Sequence, residues 1–191
     1  MGNSEQILRM ILDREVDLGI AGMVKKHASL ESAFVHGEKL LFVCSPMDPL
    51  ATREKVTPGE LERIPFIWRE KGTQTLALVK RWFQANAGGN FPHQTLSVAN
   101  MEAAKRIVEE GYGVTIIPTT AARREIEAGL LKRIEVENFA LTVDYGLFYA
   151  RGRLFSRTTE AFLETICNLG IFSHGENLRG RMKNISPLPP V

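Results

Sequence analysis

Gly72-Thr73-Gln74-Thr75 stands just ahead of Leu76, Val79 and Phe83, which recur at helical spacing. The first N–H groups of a helix have no partner inside it, and a threonine oxygen takes one of them. The N–H groups left over, with the hydroxyls of Thr73 and Thr75, suit a carboxylate or a tetrahedral oxyanion. The segment is therefore read either as a plain cap or as an anion-binding helix start. Ala99-Asn100-Met101 has the same form, a strand end followed by a capping residue, and Asn100 carries the same two readings. Pro118 and Thr119 close the "VTIIP" run, as cleft lining or as punctuation. Gly22 and Met23 follow "DLGI", with Met23 open to packing or recognition. All four segments sit at the carboxyl ends of expected strands, where ligands of open α/β sheets gather. Arg69, Glu70 and Lys71 are read as a solvated loop without a role.

Other chemistry has no anchor. There is no GxxxxGK[ST] loop, HExxH, GxSxG or cysteine-histidine cluster. His27, His36, His93 and His174 lie far apart and are expected at the surface. Cys44 and Cys167 both lie in apolar runs and are read as core residues of a protein from a reducing compartment. No catalytic residue, metal or cofactor is expected.

The chain has 191 residues and 44% hydrophobic content, enough for a real core in one domain or two small lobes. With 24 Lys plus Arg against 22 Asp plus Glu, it lacks the strong positive field that holds nucleic-acid phosphates, so this chain alone is not expected to bind DNA. No run reaches the length of a membrane span and the start is polar, so a soluble cytoplasmic protein is expected, with no membrane partner.

The elements that must position the candidate residues follow from periodicity. Asn3 precedes Gln6 by three, and Ile7, Leu8, Ile11 and Leu12 share a helical face. Val16, Leu18 and Ile20 alternate with Asp17 and Gly19 as in a strand ending at Gly22. "KLLFVCSP", 39–46, is continuously apolar, a strand covered on both faces. A proline-rich connection follows, with a short helix starting near Thr57-Pro58. From 65 onward strands ("PFIW", "TLSVA", "VTIIP") alternate with helices at about 74–86, 100–110 and 119–128, implying a parallel sheet with covering helices. Gly111 and Gly129 fall where left-handed C-caps would. "LLKRIEVE" and "LTVDYGLFYAR" alternate as strands, and Ser156 opens a helix carrying Phe162, Leu163 and Ile166. The segment 171–191 lacks apolar periodicity and is expected to be a mobile tail.

The succession "GNSEQILRMILDREVDLGIAG", "EKLLFVCSPMDPLA", "VTPGELERIPFI", "EKGTQT" and "VANMEAAKRIVEEGYGVTIIP" resembles the effector-binding domain of LysR-type transcriptional regulators, in order, over about residues 2–169. The resemblance implies an α/β fold like that of type II periplasmic binding proteins, two lobes joined by two strand crossovers. On that pattern 1–45 with 150–170 form the first lobe, 58–145 the second, and 46–57 and 146–149 the crossovers. It also implies a small-molecule sensor that binds a small anionic metabolite between the lobes, without chemistry. The alternative is a solute-binding protein or an enzyme reusing the same fold.

The departures also carry expectations. The family's opening strand, first helix and second strand have no counterpart here, so the first lobe is expected to be incomplete and to expose unpaired backbone and apolar surface. Association into a homo-oligomer is expected from that surface and from the family's antiparallel pairing. DNA would be contacted only through a helix-turn-helix domain absent from this chain. Relatives often place a small residue and an arginine where Gln74 and Leu76 stand.

Overall fold

Each strand that feeds the candidate segments is tied into one of two units, Met1–Gly37 with Asp144–Val191, and Glu38–Val143. A computed structural model of the chain describes residues 2–23, 27–89, 91–92 and 94–168. The expected tail at 171–191, His93, His174 and the side chain of Cys167 lie outside the described residues.

In the first unit, Asn3 and Gln6 close a reciprocal capping box that starts helix α1, Ser4–Leu12. Strand β1 covers only Gly19–Gly22. It pairs antiparallel with β7, Thr142–Ala150, from Gly19 opposite Phe148 to Gly22 opposite Tyr145. On its other side β7 neighbours β2, Leu30–Cys44. The alternation of β7 sorts two cores. Leu147 and Tyr149 pack with Val35, Phe155, Leu163 and Ile166, the last two from helix α6, Arg157–Asn168. Phe148 packs with Ile11, Ala21 and Leu30 under α1.

Two expected faces are reversed here. Ile20 is 52% exposed while Ala21 is buried, because Gly19 offers no side chain and α1 rests its Ile7 and Ile11 against that face. Phe162 is 50% exposed, since the inward stripe of α6 runs through Leu163 and Ile166 instead.

Asp17 joins the loop before β1 to the start of α6. Its carboxylate accepts from Arg153, at 3.1 Å from Nε, and from the Thr159 hydroxyl at 3.1 Å. The Arg153 hydrogen bonds hold Asp17 below the usual aspartate range, against the opposing effect of partial burial. The folded state therefore prefers the ionised form. Its stabilisation is complete above the ordinary aspartate pKa of about 3.9 and is lost as pH falls through the depressed value. Asp17→Asn is expected to cost about 1 kcal/mol at pH 7, given that both partners are one-third exposed. In thermal melts the gap from the parent should close toward pH 3; an equal gap at pH 3 and pH 7 would contradict it.

The second unit holds a mixed sheet. Strand β3, Phe66–Arg69, pairs parallel with β4, Gln94–Val98. Its other side meets the start of β5, Thr115–Pro118, through a parallel bridge between Phe66 and Val114. Strand β5 pairs antiparallel with β2, and β2 antiparallel with β6, Lys132–Ile134. The order is thus β4-β3-β5-β2-β6, with β2 reversed against the rest. The strands of the alternating stretch from 65 onward, β3, β4 and β5, are parallel as expected, while β2, which precedes them in the chain, enters antiparallel. It also begins at Leu30, nine residues ahead of the apolar run at 39.

Leu40–Cys44 is fully buried because helices cover both faces. Leu41 and Val43 meet Ile67, Ile117, Ala104, Val108 and Ala122, which brings in helices α4, Met101–Glu109, and α5, Thr119–Glu127. Phe42 points the other way, to Phe66, Trp82 and Phe83, with rings 6.0–6.4 Å apart. Trp82 and Phe83 belong to helix α3, Gln74–Asn86, and the Trp82 indole donates to Asn138 O at 2.9 Å. The proline-rich segment 46–57 lies inside this unit, with a 3-10 turn at Pro49–Thr52; helix α2, Pro58–Leu61, follows behind a Thr57–Glu60 capping box.

Candidate functional site

Strands β3, β4 and β5 run in one direction, so their carboxyl ends share an edge of the second unit. Arg69 is level with Val98 across the ladder. A helix starts after each strand: α3 behind Thr73, α4 behind Asn100 and α5 behind Pro118. Gly72–Thr75, Ala99–Met101 and Pro118–Thr119 are therefore brought to one edge. Gly22 and Met23 belong to the first unit, where Gly22 N donates to the Ser4 hydroxyl at 3.1 Å and Met23 packs beside Ile11 and Phe148.

The hydrogen bonds distinguish the candidates. Gly72 takes a positive φ of 87° and turns the chain into Thr73. The Thr73 hydroxyl has given its one proton to structure: it donates to Glu70 O at 3.1 Å and accepts from Leu76 N at 3.4 Å. Of the amides expected to be available, that of Leu76 is thus taken. Those of Gln74 and Thr75 precede the first intrahelical bond, from Ala77 N to Thr73 O at 3.3 Å. Among the described residues no group bonds to the Thr75 hydroxyl. Thr75 lines a crevice of about 10 Å³ with Arg69, Leu76 and Thr115, too small for an anion, so a ligand of Thr75 would sit outside it at the strand edge.

Asn100 caps α4 by accepting from Glu102 N at 2.8 Å. Pro118 caps α5 without a side-chain bond, and the Thr119 hydroxyl donates to Lys39 O at 2.9 Å. The Asn100 oxygen and the Thr119 hydroxyl proton are spent on structure, which leaves backbone and the Asn100 Nδ2 amide as what these two helix starts offer.

Arg69, expected in a solvated loop without a role, is partly buried here. Its guanidinium donates to Ala99 O at 2.8 Å, tying the end of β3 to the segment before α4.

A second tie lies between α4 and α5. Lys105, 6% exposed, donates to Glu125 at 2.6 Å and to Ala121 O at 3.2 Å. Burial alone would lower its pKa, but the bonds to Glu125 and Glu102 outweigh it and leave the ammonium raised. The bond from Lys105 holds Glu125 below the usual carboxylate range. Among the described residues there is no group of three or more His, Cys, Asp or Glu that could hold a metal, and no helix is long and apolar enough to cross a membrane.

Comparison with known proteins agrees with this architecture. The chain is 27% identical over 177 residues to the RuBisCO operon transcriptional regulator of Acidithiobacillus ferrooxidans, covering 93% of the chain and 56% of that protein. It thus spans about half the length of the curated relatives it matches. Among solved structures, the regulatory domain of Synechocystis PCC6803 CcmR in complex with 2-PG aligns with a TM-score of 0.75 at 22% identity, over 86% of this chain and 78% of that one. The effector-binding domain of QuiR in complex with shikimate aligns at 0.76 and 16% identity, over 92% and 79%. These likenesses show a type II periplasmic-binding-protein-like fold. The model of the LysR substrate binding domain matches residues 1–168, and the chain belongs to that family.

Proposed function

We propose that this effector-binding domain senses a small anionic metabolite held at the start of α3, by the amides of Gln74 and Thr75 and the Thr75 hydroxyl, with backbone at the starts of α4 and α5 as further contacts. The observation that carries the reading is the division of labour between two threonines: Thr73 is committed to the cap, and Thr75 is not. A helix start supplies aligned amides and a favourable dipole for negative charge. The neighbouring domains bound to 2-phosphoglycolate and shikimate make an oxyanion the natural class. Gly22 and Met23 are further candidate contacts. The reading extends to a cytoplasmic transcription regulator that assembles as a homo-oligomer and meets DNA through a separate helix-turn-helix domain. The names of the relatives and the exposed Ile20, Leu154 and Phe162 of the first unit support that extension.

The test separates the two threonines. Calorimetric titration with 2-phosphoglycolate, shikimate, phosphate and sulfate is run on the parent, Thr73→Val and Thr75→Val, with thermal melts alongside. Each charge-assisted hydrogen bond contributes about 1.5–3 kcal/mol, so Thr75→Val should weaken the best anion about 10- to 100-fold with little change in melting. Thr73→Val should cost about 1 kcal/mol of stability as a lost cap, with affinity changed far less. Equal affinity in the parent and Thr75→Val would remove the proposal.

A further inference from the structure

Beyond the α3 helix start lies a cavity of about 210 Å³ in the same unit, lined by Trp68, Arg69, Lys71, Leu76, Lys80, Phe91, Pro92 and Ser97. Among the described residues that line it, three are cations and two are aromatic, and none is a carboxylate. Its walls are anchored from several directions. The Trp68 ring lies 4.3 Å from that of Phe66, centroid to centroid, and is nearly buried. Phe91 leans on Phe83, 6.4 Å away, yet remains 39% exposed. The Arg69 guanidinium is fixed by its bond to Ala99 O. Lys80 extends from α3 one turn after Leu76.

From this combination we infer a second binding site, independent of Thr75, for a single-ring aromatic phosphate monoester. A cavity of about 150 Å³ is enough for a benzene ring, so this one holds a ring with a charged substituent. The ring takes the apolar wall of Trp68, Phe91 and Leu76, where aromatic groups stack edge or offset. Three cations in one lining match a dianion better than a monoanion, and arginine with lysine is the usual phosphate pair. The Ser97 hydroxyl adds a donor. The charged loop Arg69-Glu70-Lys71 thereby acquires a use: it brings two cations to the lining of a partly aromatic cavity.

Phenyl phosphate is the probe, with inorganic phosphate and phenol as the anion-only and ring-only controls, each titrated by calorimetry into the whole chain. The two tryptophans give two indole N–H signals in a nitrogen-correlated NMR spectrum. Phenyl phosphate should bind at least tenfold more tightly than either control and move the Trp68 indole signal while leaving that of Trp82. Lys71→Gln with Lys80→Gln, both exposed positions, should weaken it at least tenfold without changing the melting temperature, and Phe91→Ala should weaken it as well. Thr75→Val should not. Phenyl phosphate binding no better than inorganic phosphate, or unaffected by loss of the two lysines, would overturn the site. Dependence on Thr75 with indifference to Lys80 would assign the ligand to the helix start instead, and would equally overturn it.

Discussion

Lys105→Met should destabilise the second unit by about 3 kcal/mol, whereas Lys105→Met combined with Glu125→Leu should return close to the parent. The ammonium is almost fully buried and bonded to Glu125, Glu102 and Ala121 O. Glu125 is only 16% exposed, and its second oxygen, Oε2, is buried without a hydrogen-bond partner in the structure. Removing the lysine leaves a largely buried carboxylate with only the weaker field of Arg106 to offset its charge, and breaking such a pair from one side costs about 3–5 kcal/mol. Removing both charges replaces the pair with apolar packing against Val108, which is often neutral. For a chain of this length the single variant should melt roughly 6–12 °C lower. The pair also has a pH signature. Glu125, depressed, gives stability that is lost as pH falls through its folded pKa; Lys105, raised, gives stability that is lost as pH rises through its own. Between those limits the contribution is flat. A double variant as unstable as the single would show that the aliphatic stem of Lys105, rather than its charge, carries the contact. The pair fixes α4 against α5, and hence the two helix starts beside Thr75.

Gly113→Ala should cost more than any other change in the "EEGYGV" turn. Gly113 has φ of 133°, and an added Cβ would lie 2.2 Å from Pro65 O and 2.8 Å from its carbon. That oxygen accepts from Val114 N at 3.0 Å, and Ile67 N donates to Val114 O at 2.8 Å. Relieving the clash moves β5 away from β3 and breaks the parallel join on which the shared strand edge depends. The backbone strain alone is worth about 1–3 kcal/mol, and the forced shift adds about as much again. Gly111 is the internal control. It is also left-handed, at φ of 82°, but nothing lies within 4 Å of its added Cβ. Gly111→Ala should therefore cost only about 1–2 kcal/mol, the price of a left-handed alanine. Chemical denaturation of the two variants ranks them directly, and equal losses would contradict the role given to Pro65.

The elements with local signals were legible in the sequence. Asn3, Thr57, Thr73 and Asn100 mark their helix starts because capping is a contact between neighbours in the chain. Gly111 and Gly129 mark helix ends, both with positive φ. What was not legible depends on distant partners. The first nine residues of β2 carry Glu31, His36 and Glu38 among apolar residues, so neither strand nor helix periodicity stands out. Alternation groups Ile20 with Val16 and Leu18 but does not say which face a helix covers; that depends on α1 finding room at Gly19. The antiparallel entry of β2 is a property of topology. At the site, residue types identified the segment, while the commitment of Thr73 required the position of the Glu70 carbonyl. Arg69 gave no local signal, because a charge run looks the same whether it faces water or lines a cavity.

Backbone amide NMR gives the most direct test of anion capture at the α3 start. In the nitrogen-labelled chain titrated with 2-phosphoglycolate, the Gln74 and Thr75 amide signals should shift first and furthest, with smaller shifts at Met101 and Thr120 and saturation at a single affinity. Shifts absent from Gln74 and Thr75 at saturation, or concentrated at Gly22 and Met23, would contradict it.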